Sequence, residues 1–297
     1  MDLAGVGVWS GALRYGDAGE IAEAAAELES LGYSAVWLPG GAGGDLFNDC
    51  RRVLDATSRV TVATGILNLW MHEPGDVATG HSALIGAFPD RFLLGIGVSH
   101  SLLVDRKEPG RYARPLAVTR EYLDALDAAD PPVPPGERVL AALGPKMLEL
   151  SRDRAAGAHP YLANPEHSAF ARDVLGPGPL LLPEQPVVLE TDPVKAREAA
   201  RAHFTVYLQL PNYTNNLRRL GYTDDDFADG GSDRLLDGVV AWGDEAAIAR
   251  RVQAHLDAGA DHVCIQVVTG APGGMTAMPR EQWRALAPAL VDLRRPG

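Results

Sequence analysis

Residues 90–103 read DRFLLGIGVSHSLL, and this stretch indicates how the whole chain is organised. A continuous apolar run of this kind is typical of a strand that is buried on both faces of a parallel sheet. Gly95 and Gly97 lie on one face of that strand, so another backbone or a flat ligand can approach closely. Ser99 and His100 follow its carboxyl end, where parallel-sheet proteins place their chemistry. The alternative is a core strand with a surface histidine beyond it.

The two glycines do not complete a dinucleotide-binding fingerprint. Such a motif needs a third glycine that opens a helix, and His100 takes that position here. The residues that follow include Pro109 and Gly110, so the sequence predicts a loop after the strand. A Rossmann interpretation of this stretch is therefore disfavoured.

Length, charge and cysteine content narrow the functional classes. The chain has 297 residues, which suits a single barrel-type domain spanning 1–297, and its net charge of -12 argues against nucleic acid or an anionic membrane surface as partner. Cys50 and Cys264 lack metal-type spacing, which indicates reduced thiols in a cytoplasmic protein and no metal site. Neither a run of about 18 apolar residues nor a basic segment followed by an apolar one is present, so we expect no membrane span and no signal peptide.

Strand-like and helix-like segments alternate along the chain. The predicted strands are 6–9, 35–38, 60–67, 91–98, 138–143, 157–162, 186–190 and 262–268. Eight strands alternating with helices predict an α/β protein that folds as one (β/α)8 TIM barrel, with an open doubly wound sheet as the alternative. The segment 208–240 interrupts the alternation and is predicted to be an insertion before the last strand. Trp242, Gly243 and Asp244 are predicted to open the helix that follows it.

Seven stretches of the chain, taken in their order along the sequence, carry a resemblance to one protein family. They are AVWLP at 35–39, ATGI at 63–66, DRFLLGIGVSH at 90–100, AALGPKM at 141–147, GAHPY at 157–161, LPNYTNNLRR at 210–219 and AWGD at 241–244. Taken together they resemble the luciferase-like monooxygenases, especially the branch of oxidoreductases that depends on the deazaflavin coenzyme F420. The resemblance implies a barrel of the bacterial luciferase type, a flavin-like ring at the carboxyl ends of the strands, and a homodimer.

The resemblance also implies which residues hold the cofactor. Relatives carry a bulge with a non-proline cis peptide at the end of the third strand, which by position is Gly65-Ile66 here. The implied cofactor-binding residues are Gly65, Ile66, Ser99, Gly144, Pro145, Lys146, Met147, His159, Pro160 and Tyr161. The helix that opens after Gly144 presents the free N–H groups of Lys146 and Met147 and the positive end of its dipole, and Lys146 adds a cation, so a phosphate tail suits this position. A well-capped helix without a ligand looks the same. His159 and Tyr161 are expected to hold the same tail or the ribityl chain.

His100 is the candidate catalytic residue, because a histidine beside a reduced deazaflavin can shuttle a proton near neutral pH. Its alternative role is to hydrogen-bond the cofactor without chemistry. The candidate substrate-contacting residues are Trp9, Gly40, Trp70 and Tyr213. The resemblance has one departure, because many relatives carry an acidic residue directly after the second strand, where this chain has Gly40. The nearest carboxylate is that of Asp45.

Three functions are compatible with these observations. The first is an oxidoreductase that transfers a hydride between coenzyme F420 and a small organic substrate. The second is a two-component flavin monooxygenase that uses reduced FMN and oxygen. The third belongs to another class, a cofactor-binding protein without turnover, and the missing acid at Gly40 motivates it.

Overall fold

The computed structural model describes residues 3–41, 43–106, 108–270 and 274–296. The strands are β1 Gly5–Trp9, β2 Ala35–Gly40, β3 Thr61–Asn68, β4 Phe92–Gly97, β5 Arg138–Leu140, β6 Gly157–Ala158, β7 Leu180–Leu181, β8 Glu184–Leu189, β9 Ala241–Gly243 and β10 His262–Val267. The helices are α1 Ala12–Tyr15, α2 Ala18–Leu31, α3 Leu46–Asp55, α4 Pro74–Ala87, α5 Ser101–Asp105, α6 Pro115–Ala128, α7 Pro145–Arg154, α8 Pro165–Leu175, α9 Pro193–Tyr207, α10 Pro211–Arg219, α11 Asp224–Phe227, α12 Asp233–Val239, α13 Glu245–Asp257 and α14 Arg280–Leu290. Within the described ranges, every helix is too short or too polar to cross a membrane.

All ladders between the strands are parallel, and the sheet closes on itself through the segment 180–189. The first half of this segment pairs with β6, since Leu182 N donates to Ala158 O at 2.9 Å and Glu184 N donates to Pro160 O at 2.8 Å. Its second half, β8, pairs with β10, and β10 pairs with β1. β7 and β8 therefore share one of eight strand positions around a closed ring. The predicted (β/α)8 barrel is confirmed, and the open sheet is not found.

The insertion and its flanks differ from the prediction in one detail. Helices α10 to α12 occupy the predicted segment 208–240, which lies before β10. Residues 241–243 form the strand β9 and do not begin the next helix. β6 is only two residues long, so the backbone of β8 beyond it lacks a partner on that edge, and β9 pairs there in parallel with Val187 to Leu189. A second small difference is that α5 follows β4 where a loop was predicted.

Local signals in the sequence explain where helices begin. Asp17 caps α2 by accepting hydrogen bonds from Gly19 N at 2.8 Å and Glu20 N at 3.2 Å, and Gly32 ends the helix with a φ of 96°. Asp45 caps α3 in the same way through Asn48 N. The carboxylate nearest to Gly40 in the sequence is thus used for capping.

A bulge in β3 decides the shape of the barrel mouth. The Gly65-Ile66 peptide is cis, as predicted. The pairing register shifts on both sides of it, in the ladders with β2 and with β4. Across the break, the Thr64 hydroxyl donates to Gly95 O and accepts from Gly95 N, both at 2.7 Å, which replaces the missing ladder bonds.

The neighbouring strands make room for this bulge with bare backbone positions. A Cβ on Gly95 would stand 1.9 Å from Thr64 O, and one on Gly97 would stand 2.2 Å from Cδ1 of Ile66. On the other side, a Cβ on Gly40 would stand 2.3 Å from Ile66 O. The close approach predicted at Gly95 is therefore made by the backbone of Thr64, and the one predicted at Gly97 is made by the side chain of Ile66. At Gly40 there is likewise no room for a side chain in this chain, because the Ile66 carbonyl lies where a Cβ would stand.

We predict that Gly40→Ala destabilises the protein by roughly 1–3 kcal/mol or more, because the atoms that the new methyl group meets belong to backbone and cannot rotate away. Urea denaturation, monitored by circular dichroism, measures the free energy of unfolding. Gly86→Ala is the matched control, since a Cβ at this exposed position of α4 meets no atom within 4 Å. The control should be unchanged or more stable by about 0.4–1 kcal/mol. Equal stabilities of the two variants would contradict the steric role of Gly40.

Candidate active site

A cavity of about 540 Å³ opens at the carboxyl ends of the barrel strands. The predicted site residues that line it are Trp9, Gly65, Ile66, Ser99, His100, Gly144, Met147, His159, Tyr161 and Tyr213. They come from the ends of β1 and β3, from the segments after β4, β5 and β6, and from α7 and α10. Residues that are far apart in the sequence therefore meet at one site.

Five predicted site residues lie beside the cavity without lining it. Gly40 packs on the bulge, and the carbonyl of Pro160 accepts one of the hydrogen bonds that close the barrel. Pro145 and Lys146 are exposed in the first turn of α7. Trp70 donates through Nε1 to Val98 O at 2.7 Å, so it supports the segment after β4 from behind.

His100 presents a hydrogen-bond acceptor to the cavity. Its Nδ1 lies 2.9 Å from Oδ1 of Asn212, and since an amide oxygen only accepts, Nδ1 carries the proton and Nε2 carries a lone pair. Burial is the main influence on the pKa of His100 and lowers it, while the bond to Asn212 acts in the opposite direction. The ring of Tyr213 packs against the imidazole at 5.2 Å. The imidazole is therefore neutral near pH 7 and able to accept a proton at Nε2.

His159 forms a second acceptor beside the bulge. Its Nδ1 donates to Leu182 O at 2.7 Å, which again leaves a lone pair on Nε2. Burial lowers the pKa of His159 to about 4, and Trp37 stacks on the ring at 4.2 Å. In the described part of the chain, Nε2 is buried and has no hydrogen-bond partner, and a Cβ on Gly65 would lie 3.4 Å from it. Because His159 also lines the cavity, this lone pair can accept a hydrogen bond from a bound ligand.

Three tyrosines form one wall of the cavity. Tyr161 donates to Oε1 of Gln266 at 2.6 Å, so the 2.9 Å hydrogen bond between Tyr207 and Tyr161 has Tyr207 as its donor. Tyr213 packs on both rings, at 6.2 Å from Tyr161 and 5.4 Å from Tyr207. Desolvation raises the pKa of Tyr161 and Tyr213 well above the usual value, so both hydroxyls are protonated near neutral pH.

Glu184 is a fully buried carboxyl group near this wall. One oxygen accepts from Leu162 N at 2.9 Å, whereas Oε1 has no partner among the described residues. Burial raises the pKa of Glu184 to about 8, although the bond from Leu162 lowers it. The carboxyl group is therefore largely protonated and neutral at pH 7.

The insertion supplies polar residues that sequence reasoning did not select. Asn212, Asn215 and Arg219 line the cavity from one face of α10, at a helical spacing of three and four residues. Arg219 donates to Oδ1 of Asn216 at 3.0 Å, and no carboxylate of the described chain pairs with it. The spacing was visible in the sequence, but nothing there indicated which cavity the face would meet.

The guanidinium group of Arg219, a residue of α10, lies close to the start of α7. Its Nη2 would lie 3.6 Å from a Cβ on Gly144, which is the residue that precedes the helix. The Gly144 position therefore combines the positive end of a helix dipole with a guanidinium group. Lys146, which was expected to supply the cation, is exposed and does not line the cavity.

Two sequence comparisons place the chain among known proteins. A family model of luciferase-like monooxygenases matches residues 2–262. A Mycobacterium tuberculosis protein, provisionally named a coenzyme F420-dependent oxidoreductase, is 31% identical over 105 residues, which are 35% of this chain and 30% of that protein. The match thus spans less than a third of that relative.

Two solved structures share the fold at low identity. The coenzyme F420-dependent tetrahydromethanopterin reductase from Methanopyrus kandleri is 16% identical with a TM-score of 0.74, covering 99% of both chains. The oxygenating constituent of 3,6-diketocamphane monooxygenase from the CAM plasmid of Pseudomonas putida, solved with FMN, is 13% identical with a TM-score of 0.69, covering 99% of this chain and 98% of that one.

We predict that Glu184→Gln stabilises the protein relative to wild type at pH 8 but not at pH 5. The folded-state pKa is raised to about 8, so the wild type loses stability as the pH rises from about 4.5 to 8, while only the unfolded state releases the proton. The gain should reach roughly 2–4 kcal/mol at pH 8, measured by urea denaturation across pH.

Glu149→Gln is the control substitution for this pH series, because Glu149 is exposed on α7. The amide that Glu184→Gln introduces can still accept the hydrogen bond from Leu162 N. A pH-independent effect of Glu184→Gln would contradict a buried neutral carboxyl group.

Proposed function

The chain is an enzyme of the luciferase-like monooxygenase family, and on that premise we propose that it transfers a hydride between coenzyme F420 and a small organic substrate. The single observation that carries the proposal is the lone pair on Nε2 of His159, which has no partner among the described residues and borders the cavity beside Gly65. A flat ring that carries an N–H group can bind at this floor, because the imidazole of His159 supplies the acceptor and the indole of Trp9, which packs against Gly65, supplies an apolar surface.

The residues present fit a deazaflavin ring and its tail. Gly65, Ile66 and His159 would hold the ring, and the tyrosine wall with Trp9 would enclose its apolar edge. Bound there, the deazaflavin supplies the carbon that accepts or donates the hydride. The protein contributes position, exclusion of water and a place for the proton.

The tail of the cofactor would extend to the start of α7. A phosphate group suits the position beside Gly144, since the guanidinium of Arg219 also lines the cavity there. The N–H of Met147, which was expected to be free, donates to Gly144 O at 3.1 Å. Coenzyme F420 carries a phosphodiester at the corresponding point of its tail, and FMN carries a phosphate monoester. The position therefore supports a phosphate-bearing cofactor of either kind.

Proton transfer falls to His100 in this proposal. The described residues that line the cavity include no aspartate or glutamate, so a carboxylate does not compete for this role. Neutral His100 accepts a proton at Nε2 when the substrate is oxidised, and returns it in the reverse direction.

Reduced FMN with oxygen is the second candidate, because one neighbour in fold was solved with FMN and the same cavity suits its ring and phosphate.

Measurements of cofactor affinity and of turnover separate the candidate functions. We expect tighter binding of F420 than of FMN, and oxidation of reduced F420 by carbonyl-type substrates. Tighter binding of FMN would favour the monooxygenase, and binding of F420 without turnover across a substrate panel would favour a non-catalytic role.

We predict that Arg219→Gln weakens the binding of F420 and FMN by about tenfold or more, because a charge-assisted bond to phosphate is lost. Riboflavin, which lacks the phosphate, should bind the variant and the wild type within about twofold of each other by the same reasoning. Fluorescence titration measures all three dissociation constants.

Arg218→Gln is the matched control on the same helix, since Arg218 does not line the cavity and pairs with Asp224 at 2.7 Å. Its affinity for F420 and FMN should equal that of the wild type. If Arg219→Gln weakened riboflavin as much as FMN, the phosphate position beside Gly144 would be wrong.

A further inference from the structure

We propose that Asn212 is a positioning residue that holds His100 in the tautomer with the proton on Nδ1, so that Nε2 faces the ligand as the proton acceptor. This inference rests on the proposed function for its role in turnover, but the tautomer itself is a property of the protein alone. It assigns a task to the insertion between α9 and β9, which contributes Asn212 from α10.

The geometry supports this assignment. Asn212 and His100 are separated by 112 residues, and their side chains meet at 2.9 Å between Oδ1 and Nδ1. Within the described residues, this is the hydrogen bond that the imidazole makes. The other ring nitrogen, Nε2, has no partner in the described part of the chain and is not buried. Nε2 therefore has access to the cavity that His100 lines.

The orientation of the imidazole is restricted by packing in addition to the hydrogen bond. Tyr213, the next residue on α10, lies 5.2 Å from the ring of His100. Two adjacent residues of α10 therefore restrict His100, since Tyr213 fixes the plane of the imidazole and Asn212 fixes its tautomer. A neutral histidine with a free choice of tautomer would place an N–H group toward the ligand part of the time, and that form cannot accept a proton there.

The charge state of the partner matters for the chemistry. An amide oxygen accepts the Nδ1 proton without carrying a charge, so it orients the ring and leaves it neutral. A carboxylate at the same place would stabilise the imidazolium, because an opposite charge within 4–6 Å favours the charged form. With Asn212 as partner, burial still holds the pKa of His100 below its usual value and Nε2 stays an acceptor near neutral pH, whereas an aspartate would favour a proton on Nε2.

Nuclear magnetic resonance tests the tautomer without any ligand. The chain has eight histidines, so ¹⁵N-histidine labelling needs His100→Gln to assign the signals of His100. The wild type should show the proton on Nδ1, and Asn212→Leu should shift the population toward Nε2–H. Asn212→Asp should raise the pKa of His100 by at least about 1 in a titration of the same signals. A wild-type imidazole protonated on Nε2, or an unchanged tautomer in Asn212→Leu, would overturn the assignment.

Steady-state kinetics tests the role in turnover. Asn212→Leu should lower kcat by about tenfold or more and leave the dissociation constant of F420 unchanged. His100→Ala should lower kcat further, by about 10²–10⁴-fold, because it removes the proton acceptor itself. In Asn212→Asp, the acidic limb of the pH–rate profile should move to higher pH by the shift seen in the titration. Arg218→Gln, on the outer side of α10, should match the wild type in both experiments.

The two proposals fail in different ways. If neither F420 nor FMN binds, the proposed function fails, yet the tautomer measured in the ligand-free protein still decides whether Asn212 positions His100. If the cofactor binds and turns over while Asn212→Leu keeps full kcat and an unmoved pH profile, the role of Asn212 is overturned and the proposed function stands.

Discussion

The site depends on one steric fit, in which the backbone of β3 bulges into space left by glycines on both neighbouring strands. Gly40 on β2 faces Ile66 O, and Gly95 and Gly97 on β4 face Thr64 O and the Ile66 side chain. A single added methyl group at any of these positions meets another atom within 2.3 Å. Close-packed interiors tolerate such overlap poorly, so the three bare positions and the bulge belong together.

The bulge in turn arranges the floor of the cavity. Gly65 O accepts from Nε1 of Trp9 at 3.0 Å, which fixes the indole at the end of β1. A Cβ on the same glycine would lie 2.4 Å from Nε1 of Trp9 and 3.4 Å from Nε2 of His159, so both rings pack directly against the bulge. The roof comes from the insertion, where Asn212 and Arg219 face the cavity from α10. Barrel and insertion therefore divide the task, since the barrel presents an acceptor to a flat ring and the insertion orients His100 and supplies a cation.

Much of the barrel was predictable because buried strands leave a strong local pattern in the sequence. All eight predicted strand positions are present, and the predicted cis peptide lies at the end of the third strand. The glycines of β4 indicated a close approach, but the sequence could not tell a backbone from a ligand, because the register shift in β3 is set by pairing across strands. The three-residue strand β9 was missed, since its pairing depends on where β6 ends.

The polar side of the site was harder to predict. Lys146 looked like the cation because it follows Gly144 in the sequence, whereas Arg219 reaches the same place from α10. The bond between His100 and Asn212 joins residues that no local pattern connects. Periodicity describes a helix face, but the cavity that this face meets follows from tertiary packing.

A crystal structure of the protein with bound coenzyme F420 tests the central claim most directly, namely that the bulge and His159 form the seat of a flat cofactor ring. Ring atoms should lie within about 4.5 Å of Gly65 and Ile66, and a ring N–H should lie about 2.7–3.2 Å from Nε2 of His159. A ring bound elsewhere in the cavity, with Nε2 of His159 still without a partner, would contradict it.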